Sequence, residues 1–291
     1  MKKLGLNLLD ALLFSNVFMA LCAVAQGLVT FHLIGAKPVP SVLALLFAST
    51  LGLYNFCLLV IKPKNPQASP YRRARWFFKY HRLMISITMV CLLALIPLFF
   101  MLSMQAKLLL VLLAILSVGY GLPLFSNRGR RSGLRNVPGL KALLITLVWT
   151  LSCVLLPVLE AHAQGLTRIS NMDVFILTAK RFIFIAALTV PFDIRDLFQD
   201  QIAGLKTIPV AFGEKKAYLI CQFLLAGYIA LLFLFRHNGF NADFVALTCV
   251  AVLTGWLIFR STWQRNEYYY FLYLDGVLIL QYVAIMIAQI I

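Results

Sequence analysis

Residues 191–213 read PFDIRDLFQDQIAGLKTIPVAFG, a polar interruption between two apolar runs, 172–192 and 216–235, each long enough to cross a bilayer. Asp193, Asp196 and Asp200 place three of the chain's ten acidic residues within eight positions. Their spacings put the carboxylates on one face if the preceding helix continues through them. Side by side in water they repel each other. A bound cation makes the cluster favourable, and hard divalent ions such as magnesium take oxygen ligands together with phosphate. The plainer account is a solvated helix cap neutralised by Arg195 and Lys206. Packing does not require acids clustered at a membrane face, which favours the metal site, with Asp193, Asp196 and Asp200 as ligands.

Around this island the chain reads as one polytopic membrane domain spanning 1–291. It is 62% hydrophobic and 12% charged, with a mean hydropathy of +0.90; a soluble domain is about a quarter charged. Lys2 and Lys3 precede an apolar run, but that run has the length of a full span, so a cleaved signal peptide is not expected. The net charge of +16 suggests loops facing anionic lipid rather than nucleic acid. The six cysteines form no CxxC pair and the four histidines are dispersed, so a zinc site has no support.

Nine spans are expected, near 8–31, 39–61, 83–104, 106–125, 140–159, 172–192, 216–235, 242–259 and 268–291. The third and fourth should form a tight hairpin. With the N-terminus cytoplasmic, 20 of the 26 Lys and Arg fall on that side, and Lys37, Lys107, Arg168 and Arg236 on the other. That bias, with an odd number of spans, predicts a cytoplasmic N-terminus and a C-terminus on the far side; the expected location is a bacterial cytoplasmic (inner) membrane. The acidic stretch, the basic loop 62–82 and the Arg-rich loop 126–139 then share one face.

Several further residues are candidates. Gly204 is placed to end the helix, which puts Lys206 and Thr207 where they can meet a phosphate. The basic residues of loop 62–82 either lie against lipid phosphates or, at Arg72, Arg73 and Arg75, clamp a diphosphate directly; Arg72, Arg75, His81 and Arg82 are those expected to reach the cavity. Within the spans, Asn16, Gln26 and Asn55 either line a cavity or bond between helices. Asp275 requires a partner or a cavity role. Lys180 and Arg181 are expected to snorkel outward. Tyr268, Tyr269 and Tyr270 read as an interfacial aromatic belt.

DIRDLFQDQIAGLKTIPVAFG resembles the second aspartate-rich motif of the UbiA-type prenyltransferase superfamily, matched at Asp196, Asp200, Gly204, Lys206, Thr207, Pro209 and Gly213. In YGLPLF, Tyr120, Pro123 and Leu124 resemble the element that closes that family's fourth helix. The resemblance implies an all-α integral membrane protein, nine helices around a central cavity. It implies magnesium, a prenyl diphosphate and a lipophilic acceptor. The catalytic candidates are then Asp193, Asp196 and Asp200, with Tyr120, Asn16, Asn55 and Asp275 along the cavity.

One departure stands out. The family's first motif follows the second span and carries three acids after an asparagine; here the stretch reads YNFCLLVIKPK. Asn55 is kept, and Phe56, Leu59 and Pro63 stand at the acidic positions. If arginines take over part of the lost charge, the chain is a magnesium-dependent transferase of prenyl groups. The alternative is a non-catalytic lipid-binding or partner-binding membrane protein. A transporter lacks the inverted repeat that would support it.

Overall fold

The computed structural model describes residues 2–60, 66–69, 71–121, 125–127, 130–132, 139–202, 204–235 and 239–290. Apart from a two-stranded antiparallel hairpin, β1 (Phe125–Asn127) with β2 (Arg130–Ser132), its regular structure is helical. Each of the nine apolar runs becomes a helical segment. Seven are long and apolar enough to cross a membrane: α3 (Pro40–Val60), α5 (His81–Phe100), α7–α8 (Leu140–Ala163), α9 (Asn171–Arg195), α12 (Glu214–Leu234), α13 (Ala242–Arg260) and the C-terminal segment (Tyr269–Ala288) ending in α14 (Gly276–Ala288). The protein is an integral, multi-pass membrane protein.

The other two segments differ from uniform spans. The first is broken into α1 (Lys2–Phe14) and α2 (Val17–Leu33), bent by 64°. At the break Asn16 has φ +68, and it is the one non-glycine residue with positive φ among the described residues. Asparagine tolerates that left-handed conformation better than most side chains. The fourth, α6 (Met104–Gly121), is shorter. It follows α5 after Met101–Ser103, the tight hairpin expected from the sequence, and the buried Glu160 carboxylate accepts the Ser103 amide at 2.9 Å.

Two segments carry a wide helical turn. Leu151–Leu155 joins α7 (Leu140–Thr150) to α8 (Leu156–Ala163), and Tyr269–Leu274 precedes α14. Such turns insert an extra residue and re-aim the side chains that follow. Asp275 comes directly after the second. Between α3 and α5 lies α4 (Arg72–Lys79), short and amphipathic: Phe77 and Phe78 are buried, and Arg72, Arg75 and Lys79 are exposed. That pattern suits a helix lying along a membrane face.

Neighbouring helices pack in the order α5–α3–α2–α14–α13–α12–α9–α7–α6. They enclose a cavity at the end where α4 and α10 (Leu197–Ile202) sit.

Four cysteines are buried, Cys57 is half-buried and Cys249 is exposed. Lys180 and Arg181 do not snorkel. They are 2% and 4% exposed, Lys180 with its ammonium 3.9 Å from the Phe235 ring centre and Arg181 donating to Gln281 at 3.1 Å. Aromatic and amide partners inside the bundle replace the water they would otherwise seek.

Candidate functional site

The helix carrying the aspartates is jogged at Asp196. There α9 ends, Asp196 caps it, and α10 begins, yet Asp200 N–H still donates to Asp196 C=O at 2.9 Å. The three carboxylates therefore stay on one side, as their spacing predicts. After α10 the Leu205 amide donates to Asp200 C=O at 2.8 Å and the Gly204 amide to Gln201 C=O at 3.1 Å, with Gly204 at φ +70. This is a Schellman cap, and it requires the left-handed residue that glycine supplies. It turns Leu205 back onto the cavity wall.

The aspartates converge on Lys141, in the first turn of α7. Its ammonium lies 2.9 Å from Asp193, 3.4 Å from Asp200 and 4.0 Å from Asp196. Asp196 is also gripped by Arg195, at 2.8 and 3.1 Å. Asp193 is 3% exposed, and its second carboxylate oxygen has no hydrogen-bond partner.

These side chains form the polar end of a cavity of about 410 Å³. Opposite them stands Arg73, which donates to Asn16; Asn16 in turn donates to the buried Asn55 at 2.6 Å. The Arg73 guanidinium lies 4.7 Å from the Phe271 ring centre and Arg195 lies 5.5 Å from the same ring, so one aromatic face serves two cations. Burial, and then the neighbouring Arg195, pull the Arg73 guanidinium down to about 10. Arg73 still carries its charge at neutral pH, and its buried Nε has no partner. Asp275 lines the same space, within electrostatic reach of Arg73 and Arg195.

Below the charges the walls turn aromatic and apolar. Tyr54 and Trp149 bound both this cavity and a second, largely apolar one of about 400 Å³ between α3, α5, α6 and α7. Trp149 donates its indole N–H to the Tyr54 hydroxyl at 3.2 Å, which latches the partition between the chambers.

Of the candidates named from sequence, Asp193, Asp196, Asp200, Asn16, Tyr120 and Asp275 line the polar chamber, and Asn55 supports Asn16 from behind. Four basic candidates lie elsewhere. Arg72 pairs with Asp10 at 2.7 Å and, with Arg75, lines an outer groove between α1 and α4. His81 and Arg82 are exposed at the start of α5. Lys206 is exposed, and Thr207 is buried at the start of α11 (Ile208–Phe212). Among the described residues of loop 62–82, the basic one that lines the cavity is Arg73. Helical spacing carries the signal for it, because Arg73 is four residues before the buried Phe77, on the covered side of α4. The amides of Arg72 and Arg73 are held by the Glu267 carboxylate, at 2.8 and 2.9 Å, which fixes the start of α4.

At the first-motif position the site is apolar. Phe56 lines the apolar chamber, and Leu59 packs on the cluster of Phe77, Phe78 and Met84. Pro63 lies outside the described residues.

Structural comparison places the fold. A UbiA homologue from Aeropyrum pernix K1 superposes with a TM-score of 0.66 at 15% identity, covering 94% of this chain and 98% of its own. A UbiA homologue from Archaeoglobus fulgidus, solved with GPP and Mg2+, gives 0.66 at 12% identity over 97% and 100%. The fold is the UbiA-type fold. A digeranylgeranylglyceryl phosphate synthase structure also matches, with a TM-score of 0.58 at 15% identity over 100% of this chain and 99% of that one. No family model and no curated protein matches the sequence.

The residues present do not fit a magnesium ion. An octahedral ion needs oxygen ligands at about 2.0–2.1 Å around an open centre. Here the Lys141 ammonium fills that centre, and the acids of the first motif are replaced by Phe56 and Leu59. Among the described residues no group of three or more His, Cys, Asp or Glu side chains is arranged to hold a metal.

Proposed function

We propose that this chain is an isoprenoid-processing membrane protein that takes a prenyl diphosphate into the two-chambered cavity and transfers the prenyl group to a lipophilic acceptor. The observation that carries this reading is the join between the chambers. A charged pocket bearing Arg73, Arg195 and Lys141 meets an apolar chamber at Tyr54 and Trp149. A diphosphate head with a hydrocarbon tail has that division of polarity, and the two related Archaeoglobus fulgidus structures were solved with GPP and with DMAPP.

In this reading the allylic C–O bond breaks with its electron pair leaving on the diphosphate, whose charge is met by the Arg73 guanidinium. The resulting carbocation lies against Tyr54, Trp149, Phe192 and Phe271 until the acceptor attacks it and loses a proton. The experiment uses purified protein in lipid nanodiscs with geranyl, farnesyl or geranylgeranyl diphosphate. Release of diphosphate that is lost in Arg73→Met supports the reading. Absence of both binding and turnover with all three ends it.

One observation favours a second reading. The three cations of the chamber, Arg73, Lys141 and Arg195, already face as many carboxylates, Asp193, Asp196 and Asp200, with the Asp275 carboxyl beside them. A lipid with a neutral or weakly charged head fits that balance better than a diphosphate, and the chain would then be a lipid-binding member of the fold without transferase activity. Saturable binding of an uncharged prenyl alcohol, with none of its diphosphate, would establish it.

A further inference from the structure

We propose that Lys141 is a tethered replacement for a divalent cation: its ammonium closes the aspartate cluster and excludes a metal ion from it. Three observations converge. The ammonium lies within 4.0 Å of all three carboxylates, and Asp193 and Asp200 are the closer two at 2.9 and 3.4 Å. Asp196 is already committed to Arg195 through both its oxygens, leaving little of its charge for a third partner. The wall facing the cluster presents Asn16, backed by Asn55, and Arg73, and among the described residues Asp275 is the one further acid that lines the chamber, so no second carboxylate cluster stands there to share a metal with the first.

Charge explains why one lysine is enough. Asp193 and Asp200 carry two negative charges in a nearly dry setting, and Asp193 keeps one buried oxygen without a hydrogen-bond partner. An ammonium has three N–H donors on a flexible stem and can address several oxygens at once. It brings no need for octahedral geometry and no ordered water shell, both of which magnesium imposes. A divalent ion entering the cluster would have to displace the ammonium into the chamber, where Arg73 and Arg195 already repel it.

The test needs no substrate, so its outcome is independent of whether prenyl transfer takes place. Full-length protein in detergent is titrated with Mn2+, with free Mn2+ read by electron paramagnetic resonance, and thermal unfolding is followed with and without millimolar Mg2+. The wild type is expected to show no saturable Mn2+ site and no Mg2+-dependent shift in Tm. Lys141→Ala and Lys141→Gln are expected to gain one Mn2+ site, lost again when Asp193→Asn is added, and to be stabilised by Mg2+. Lys141→Arg, which keeps the charge, gains none. Saturable Mn2+ binding to the wild type that disappears in Asp200→Asn overturns the proposal, and this measurement stands even if the Lys141 variants fail to fold. A folded Lys141→Gln protein that still binds no Mn2+ overturns it as well.

Discussion

On the α9–α10 side of the chamber three carboxylates crowd around an ammonium; on the other side Asn16 at the α1–α2 break, Asn55 of α3 and the Arg73 guanidinium of α4 stand together, with no acid among them. The first side is paired within itself, its three carboxylates held by Lys141 and Arg195. The second leaves the Arg73 Nε–H without a hydrogen-bond partner, on a guanidinium side chain that lines the chamber. The same cavity thus pairs a closed electrostatic unit with a wall still able to accept an anion. Retained aspartates therefore do not by themselves identify a metal site, because what stands between them decides.

The largest effect should come from opening the closed side. Lys141→Ala leaves Asp193 buried without its counter-charge, and breaking a buried pair costs about 3–5 kcal/mol. Adding Asp193→Asn should recover a large part of that loss, because the orphaned charge goes with it. A double-mutant cycle on thermal or denaturant unfolding in a fixed detergent checks this; additive losses would mean that the two side chains are not coupled.

Next comes an attempt to make the second side resemble the first. Phe56→Asp places a carboxylate on the wall of the apolar chamber, and an acid at membrane depth costs roughly 2.5–3.5 kcal/mol. Among the described residues no basic side chain lines that chamber to offset it. The variant should lose Tm and should not regain it with Mg2+. Recovery on adding Mg2+ would show that a metal site can be rebuilt from one residue.

The third prediction separates the two faces of α4. Arg73→Met should weaken geranyl diphosphate binding by about tenfold to a hundredfold, corresponding to the roughly 1.5–3 kcal/mol of a charged hydrogen bond. Arg75→Met, in the outer groove, should leave it unchanged. Equal losses, measured by isothermal titration in nanodiscs, would move the anion-binding face from the chamber to the groove.

The α4 pair also shows how far the sequence could be read. The nine apolar segments were legible because charged groups are excluded from lipid-spanning helices, and the aspartate face was legible because helical spacing survives the jog at Asp196. The break at Asn16 and the two wide turns were not, since all faces of these helices are apolar and periodicity carries no phase. Lys141 was hidden for a different reason. In sequence it is one more positive charge near the Arg-rich loop, indistinguishable from residues that face lipid headgroups. Its contact with Asp193 depends on α7 packing against α9, which no local pattern encodes. Arg72 and Arg75 looked equivalent to Arg73 until the burial of Phe77 fixed which side of α4 is covered.

The smallest effect concerns what the two sides share, the partition beneath them. Trp149→Phe keeps an aromatic ring but removes the N–H that holds the Tyr54 hydroxyl at 3.2 Å. The stability cost should be near that of one neutral hydrogen bond, about 0.5–1.5 kcal/mol. Its consequence for binding is directional. An unlatched Tyr54 widens the passage between the chambers, which matters only to a tail long enough to reach it. Affinity for geranylgeranyl diphosphate should therefore rise relative to geranyl diphosphate, while the polar chamber and its cations stay as they are. If both ligands change in parallel, the tail does not pass between Tyr54 and Trp149, and the apolar chamber has no part in choosing chain length.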